Sequence, residues 1–440
     1  MTWQFETDPE FQEKLDWTDT YVREEVEPLG ILFRGQSEAS FDPTHEAREF
    51  IKPLQGPVKK RGLWACHLTP ELGGQGYGQV KLALMNEILG RSLFASNVFG
   101  TMAPDTGNAE LLAHFGTEEQ KEKYLKPLLN QEITSCFSMT EPAGGADPKT
   151  FTCKAVKEGD EYVISGEKWF SSHASFAEFL LVMLVTDDTV PIYEGASIIL
   201  VPRETPGLEI IRDVGLMAEP LPTGKHAHLR FNSVRVPAEN CIGGEGKGFK
   251  AAQVRLGGGR VHHAMRAVAT AKQAFDMLCE RALSRFTQGT HLSDKQMVQD
   301  MIAESYIQIQ QFRLHTLYTA WLIDKHQEYN REVRKEIAAV KVATETVLHD
   351  VVLRSIRIHG SLGMSNLTPL ARMWSQVPMY ATQDGPTEVH KVTIAKQVLK
   401  DYEACTEVFP DYYLPHQMEH VKQKYGDRIT PTMLHNMLNA

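Results

Sequence analysis

The chain has 440 residues, of which 42% are apolar and 23% charged. These values are typical of a globular protein with about three domains. The formal net charge is −10 and basic residues form no long cluster, which argues against nucleic-acid binding because phosphates require clustered Lys and Arg.

Cysteine spacing and hydropathy exclude further classes of protein. The six cysteines are widely spaced without a Cys-x-x-Cys pair, which argues against a zinc ribbon or a disulfide framework. The N-terminus lacks an apolar signal region, and the longest apolar run, residues 179–185, is too short to cross a bilayer. We therefore expect a cytoplasmic protein with no integral membrane segment.

The first zone, residues 1–134, is predicted to be an N-terminal α-helical domain. Its clearest signal is residues 117–120 (TEEQ), a capping box. In such a box, the Thr side chain accepts from the third helical N–H and the Gln side chain reaches back to the cap. A helix is therefore predicted to begin at residue 118.

The second zone, residues 135–245, is predicted to be a middle β domain. Ala227, Leu229 and Phe231 alternate with polar residues, the period of a half-buried strand. Short β-rich runs separated by Gly, Pro and Asp occur at 161–169, 179–185, 197–201 and 208–212. This spacing predicts a small barrel or sandwich.

The third zone, residues 246–400, is predicted to be a C-terminal helical bundle. An apolar stripe at helical spacing runs through Ile337, Val340, Val347, Leu348 and Val351, with Thr344 on the same face. Residues 401–440 form a polar C-terminal extension without a clear pattern. The fold class is therefore α+β multidomain, with a β domain between two helical domains.

No single motif indicates a reaction. The glycine-rich residues 243–248 lack the spacing and the βαβ context of a dinucleotide-binding loop, so we interpret them as a turn. His262 and His263 are adjacent, and adjacent side chains on a helix diverge by about 100°. We interpret the two histidines as capping or core residues and predict no metal site.

An ordered set of motifs is more specific. Residues 136–142 (CFSMTEP) are followed by 143–147 (AGGAD) and by 166–172 (GEKWFSS). Together they resemble the acyl-CoA dehydrogenase family, in which a TEPGxGSD loop and a GxKxW strand flank FAD. The resemblance covers about residues 10–400 and implies an acyl-CoA dehydrogenase-like fold.

The resemblance also implies cofactor-binding positions. Thr140 and Ser172 would hydrogen-bond the polar edge of the flavin, and donors held there would stabilise the negative charge of the reduced ring. Phe137 and Met139 would line the flavin ring, and Phe170 would lie beside it. Further FAD-binding positions implied by the resemblance are Gly145, Ala146, Pro386 and Glu388.

Two further segments resemble those with which a neighbouring subunit of the family contacts FAD. Arg285, Gln288 and Gln296 belong to the first segment, and a guanidinium suits a diphosphate because it can donate two parallel hydrogen bonds. Arg357, Gly360 and Ser361 belong to the second. Sharing of FAD implies a homodimer or a homotetramer.

The catalytic base is implied by residues 380–390 (YATQDGPTEVH). Most of the family carries Glu where this chain has Asp384, and Asp marks a branch associated with longer acyl chains. Substrate-binding positions implied by the resemblance are Ala146, Arg260 and Gly385.

The implied reaction is α,β-dehydrogenation of an acyl-CoA to the trans-2-enoyl-CoA, as in fatty acid β-oxidation, with electrons passed to an electron-transfer flavoprotein. One alternative is a flavin oxidase or monooxygenase on the same fold, of the acyl-CoA oxidase or nitroalkane oxidase type. A second alternative is a non-catalytic subunit that binds flavin or acyl-CoA. Departures from the family pattern, such as Ala146 for Ser and Pro386 for Thr, support this second alternative.

Overall fold

A computed structural model describes residues 6–34, 36–40, 42–217, 224–326 and 330–439. The chain divides into two compact units, one ending at Thr393 and one beginning at Ile394. Throughout the described ranges, no helix combines the length and apolar character needed to cross a membrane.

The first zone is helical, as predicted. The capping box is confirmed, since the Thr117 hydroxyl accepts from the Gln120 N–H at 3.2 Å and the Thr117 N–H donates to the Gln120 side chain at 3.0 Å. The helices pack around buried residues that include Phe11, Ile51 and Leu89. Their bounds are α1 Pro9–Tyr21, α2 Glu27–Leu32, α3 Ala47–Lys60, α4 Gly78–Leu89, α5 Ala95–Val98, α6 Asp105–Phe115, α7 Glu118–Gln120 and α8 Lys126–Leu129.

The second zone forms a mixed sheet. Its strands are β1 Ser135–Ser138, β2 Lys154–Glu158, β3 Glu161–Ser172, β4 Phe179–Val185, β5 Ala196–Pro202, β6 Leu208–Val214, β7 His226–Pro237 and β8 Cys241–Ile242, with a short helix α9 Ile192–Gly195. In the described residues the order is β6-β7-β3-β2-β4-β5-β8, and β1 pairs in parallel with β4. The predicted runs lie in β3, β4, β5 and β6, and the predicted alternation is confirmed in β7, where Ala227, Leu229 and Phe231 are buried.

Strand β4 lies at the centre of this domain because both of its faces are apolar. All seven of its residues are buried. Phe179, Leu181 and Met183 pack in a core shared with helical residues, while Leu180 and Val182 pack against residues of β3 and β7. A strand that is covered on both faces has a continuous run of apolar residues in its sequence.

The third zone is a helical bundle. Its elements are α10 Gly248–Ser284, β9 Phe286–Thr287, β10 Thr290–His291, α11 Gln296–His326, α12 Arg331–His359, α13 Ser361–Met364, α14 Leu370–Ser375, α15 Val377–Thr382 and α16 Thr387–Leu399. The predicted stripe of α12 is confirmed, including Thr344, which is buried and donates to the Val340 carbonyl at 2.8 Å. This internal bond explains why a polar residue is tolerated on the apolar face.

The C-terminal extension contains two helices that the sequence did not predict, α17 Leu414–Tyr425 and α18 Pro431–Asn439. Neither contains a residue that is described as buried. Apolar side chains of these two helices, such as Leu414 and Met433, are largely exposed.

Candidate functional site

Asp384 lies in the turn between α15 and α16, and its backbone is strained. Its φ is +54°, followed by +99° at Gly385. A Cβ added at Gly385 would lie 2.9 Å from Nε2 of His390, so this position requires glycine both for its left-handed conformation and for space. The side chain of Asp384 keeps 24% of its surface exposed. The turn therefore presents the carboxylate while restricting the backbone that carries it.

Three donors hold the carbonyl oxygen of Asp384. Arg260, on α10, donates to it from Nε at 3.2 Å and from Nη2 at 2.9 Å. Nε2 of His390, on α16, lies 3.2 Å from the same oxygen. Burial lowers the pKa of His390 to about 4, so at neutral pH the ring is uncharged and donates as the Nε2–H tautomer. These bonds stabilise a conformation that a residue other than glycine would otherwise avoid.

Cationic side chains lie around the Asp384 carboxylate. Burial lowers the pKa of Arg255 and of Lys341, and the negative charge of Asp384 acts in the opposite direction on both. The Arg255 guanidinium lies 4.0 Å from the centre of the Phe137 ring and donates to the Asn108 side chain at 2.9 Å. Phe137, a predicted flavin contact, is thereby connected to the helix that carries Arg260.

The loop after β1 is joined to β3 through a buried ion pair. Lys168 is fully buried and donates to the Met139 carbonyl and to Oε1 of Glu141, each at 2.9 Å. Glu141 also accepts from the backbone N–H groups of Thr152 and Cys153 at 2.6 and 3.0 Å. The predicted flavin contact Met139 therefore belongs to a rigid loop.

Backbone pairing places Thr140 beside the same strand. The Trp169 N–H donates to the Thr140 carbonyl at 2.8 Å. A Cβ added at Gly145 would lie 2.9 Å from Cγ2 of Thr140, so the exposed segment that carries Gly145 and Ala146 approaches Thr140 closely. Thr140 thus lies close both to Gly145 and to β3, and the binding roles of these residues stay predictions.

A bulge near the end of β3 presents Phe170 and Ser172. Phe170 has φ +53° and 38% exposure, and its ring lies 5.5 Å from that of His226. The Ser172 hydroxyl lies 2.8 Å from Nδ1 of His226, whose Nε2 is buried without a partner in the described chain. His226 was missed by the sequence reasoning, and only its place directly opposite Ser172 in β7 could have indicated it.

These residues fit the flavin that the motifs imply. Phe170 offers an exposed aromatic face, and the half-buried Met139 lies in the loop that Lys168 joins to β3. The Thr140 hydroxyl is half-buried and has no hydrogen-bond partner among the described residues, so it remains available to a ligand. Aromatic and apolar faces with a few convergent polar groups are typical of cofactor sites.

The positions predicted to contact the FAD of a neighbouring subunit are not part of the Asp384 turn. No described hydrogen bond or ion pair links them to Asp384, and all are exposed at the ends of bundle helices or in the β9–β10 hairpin: Arg285, Gln288, Gln296, Arg357, Gly360 and Ser361. Glu388 is exposed as well, and Pro386 is half-buried. Their roles stay predictions.

The two adjacent histidines differ. Nε2 of His262 is buried without a partner in the described structure, in agreement with a packing role. His263 instead points toward the site, with its Nε2 3.9 Å from Oδ2 of Asp384. In the described ranges, no cluster of His, Cys, Asp and Glu could hold a metal ion.

Because a buried histidine is difficult to protonate in the folded state, we expect acid to destabilise the protein. Both ring nitrogens of His67 are buried without a described partner, and burial lowers its pKa to about 4. Because the unfolded value is about 6.5, the unfolded chain binds more protons, and stability falls as the pH drops from about 6.5 toward 4.

We expect His67→Leu to reduce the difference in the free energy of unfolding between pH 7 and pH 5 by about 2 kcal/mol. Urea denaturation at the two pH values measures this difference. The control is His420→Leu, at an exposed position, which should behave as the wild type does. If the free energy of unfolding of His67→Leu changed between pH 7 and pH 5 as much as that of the wild type, His67 would not be a source of the acid sensitivity.

Comparison with known proteins shows the family and the fold. Residues 10–132, 136–234 and 246–399 match the N-terminal, middle and C-terminal domains of acyl-CoA dehydrogenase. The chain is 39% identical to the probable acyl-CoA dehydrogenase FadE2 of Mycobacterium tuberculosis, over 81% of this chain and 87% of that protein. A solved Mycobacterium abscessus structure named as an acyl-CoA dehydrogenase is 36% identical with a TM-score of 0.82, over 91% of this chain and all of that chain (100%).

A longer relative is matched only in part. Acyl-CoA dehydrogenase family member 11 of Rattus norvegicus is 40% identical over 80% of this chain, which covers 45% of that relative. The chain thus spans about half the length of that protein. All three domain matches nevertheless fall in order along this chain, and the chain therefore belongs to the acyl-CoA dehydrogenase family.

Proposed function

We propose that this protein is an FAD-dependent acyl-CoA dehydrogenase in which Asp384 removes the α-proton of an acyl-CoA thioester. The observation that carries the proposal is the turn at Asp384. Its backbone oxygen is held by Arg260 and His390 while its side chain stays partly exposed. A general base needs this combination of a fixed position and access to substrate.

The chain's own residues supply binding, orientation and proton transfer. Asp384 accepts the α-proton on its carboxylate. The Asp384 N–H would donate to the thioester oxygen and stabilise the charge that develops there, as an oxyanion hole does. When bound, FAD supplies the acceptor for the hydride of the β-carbon, and family members are FAD-dependent.

The remaining assignments form part of the same proposal. Thr140 and Ser172 would hydrogen-bond the flavin, and the exposed Arg285 and Arg357 would bind the FAD diphosphate of a neighbouring subunit in a homodimer or homotetramer. An electron-transfer flavoprotein would reoxidise the enzyme.

Anaerobic titration of the FAD-loaded protein with acyl-CoAs of increasing chain length tests the proposal. Loss of the flavin absorbance near 450 nm is the expected result for at least one acyl-CoA. Absence of bleaching with every chain length would overturn it. Rapid hydrogen peroxide formation in air with the same acyl-CoA would indicate an oxidase instead.

Arg260 provides a separate prediction. Lys lacks the planar fork with which Arg260 donates twice to the Asp384 carbonyl, so Arg260→Lys should loosen the turn that carries the base. We expect flavin reduction by acyl-CoA to slow by about 10-fold to 100-fold, since small displacements of reacting groups have effects of this size. Stopped-flow absorbance measures the rate. Wild-type rates in a variant with full FAD content would contradict the positioning role.

A further inference from the structure

His263 lies beside the base but was not among the predicted site residues. It lies on α10 three residues after Arg260, so both side chains project from one side of the helix. Its Nε2 is 3.9 Å from Oδ2 of Asp384, and its side chain keeps 26% of its surface exposed. Arg260 contacts the backbone of Asp384, and His263 faces its carboxylate.

Within the described residues, neither the His263 ring nor the Asp384 carboxylate has a hydrogen-bond partner. The carboxylate of Asp384 accepts no hydrogen bond from them, and the ring of His263 neither donates nor accepts one. The separation of 3.9 Å is too long for a hydrogen bond. Catalytic hydrogen bonds are often long without substrate and shorten when it binds, and a small rotation of either side chain would close this gap.

We propose that His263 is a positioning residue that donates a hydrogen bond from Nε2–H to the carboxylate of Asp384, favours its ionised form and aims its free oxygen at the substrate. The inference rests on the proposed function of Asp384 as the base. An Asp side chain is one methylene shorter than Glu, so its carboxylate has less freedom to be directed by its own rotamers. A donor on the facing helix supplies that direction.

The charge state of His263 agrees with this role. Burial lowers its pKa to about 4, although the charge of Asp384 acts in the opposite direction. The ring is therefore neutral at working pH and carries one N–H. A neutral donor lowers the basicity of the carboxylate less than a cationic partner in a fixed ion pair would.

Other charged groups face this pair from each packed element, and all remain in place in the variants below. They are Arg255, Arg260 and Arg266 on α10 and Lys341 on α12. Glu345 and Glu388 act on Lys341, and the neutral His390 lies on α16. His262 also lies close to His263. Because substitution of His263 leaves these charges unchanged, a shift in pH dependence is assigned to the lost donor.

The test compares His263→Leu, which removes the donor, with His263→Gln, which retains an N–H donor. The holoenzyme is titrated with a 3-thia-acyl-CoA, in which sulfur replaces the β-carbon, so the α-proton can be removed but no hydride can leave. The enolate beside oxidised flavin is followed by its long-wavelength absorbance as a function of pH. His262→Gln, the neighbouring position on the same helix, is the matched control.

We expect His263→Leu to move the acid limb of this titration upward by about one pH unit, the size expected from a hydrogen bond to a charged group. His263→Gln should restore most of the wild-type position, and His262→Gln should leave it unchanged. An acid limb in His263→Leu that coincides with that of the wild type, or that also moves in His262→Gln, would overturn the inference. If the wild type forms no enolate and is not bleached by any acyl-CoA, the proposed function fails instead.

Discussion

Asp384→Asn is expected to lower the rate of flavin reduction by acyl-CoA by about 10³-fold to 10⁴-fold, within the range that general bases contribute. The amide has nearly the shape of the carboxylate, but it cannot accept the α-proton. The bonds from Arg260 and His390 end on the backbone carbonyl, so the substitution leaves the turn intact. Loss of rate is then assigned to the missing base.

The control for this experiment is a measurement of FAD and acyl-CoA binding in the Asn variant. The Asn variant should retain FAD and should still perturb the flavin spectrum when acyl-CoA binds. Asp384→Glu should keep partial activity, because it restores a carboxylate at a position displaced by one methylene. A rate in the Asn variant equal to that of the wild type would show that another group removes the proton.

Lys168→Met is expected to lower the free energy of unfolding by about 3–5 kcal/mol, the usual effect of removing one partner of a buried ion pair. Lys168 and Glu141 are almost completely buried, and Nζ of Lys168 lies 2.9 Å from Oε1 of Glu141. Without the ammonium group, the Glu141 carboxylate remains buried with uncompensated charge. The Met139 carbonyl also loses its donor, so the variant should lose FAD as well as stability.

Lys154→Met is the matched control. Lys154 pairs with Asp188 at 2.6 Å, but both side chains are at least half exposed, at 50% and 63%. Exposed pairs contribute about 0–1 kcal/mol, so this variant should unfold nearly as the wild type does. Urea denaturation of the holoenzyme measures both variants. Equal free energies of unfolding would contradict the claim that burial makes the Lys168–Glu141 pair more important for stability than the exposed pair.

The order of the domains could be predicted because each zone has a local pattern. The capping box at Thr117 needs only four consecutive residues, and the buried stripe of α12 follows from a period of 3.6. Strand β4 could be located because its seven apolar residues form a continuous run. The helices of the C-terminal extension were not predicted, and their described residues are exposed or half-buried.

Some features of the site could likewise be predicted from the sequence, and others could not. The motifs identified Asp384, Thr140 and Ser172 as positions, because these residues lie in short segments with a characteristic order. They did not reveal the bonds from Arg260 to the Asp384 carbonyl, the approach of His263 to its carboxylate, or the pairing of Ser172 with His226. Each of these contacts joins residues more than 50 positions apart in the chain.

Local periodicity and motif order thus established the succession of helical, β and helical zones and the position of the acidic residue. Tertiary structure alone decided which donors surround that residue, because residues far apart in the chain meet only when α10, α12 and α16 pack together. The same packing moves histidines and a lysine away from water and lowers their pKa values. Desolvation depends on neighbours in space, which short sequence patterns do not specify.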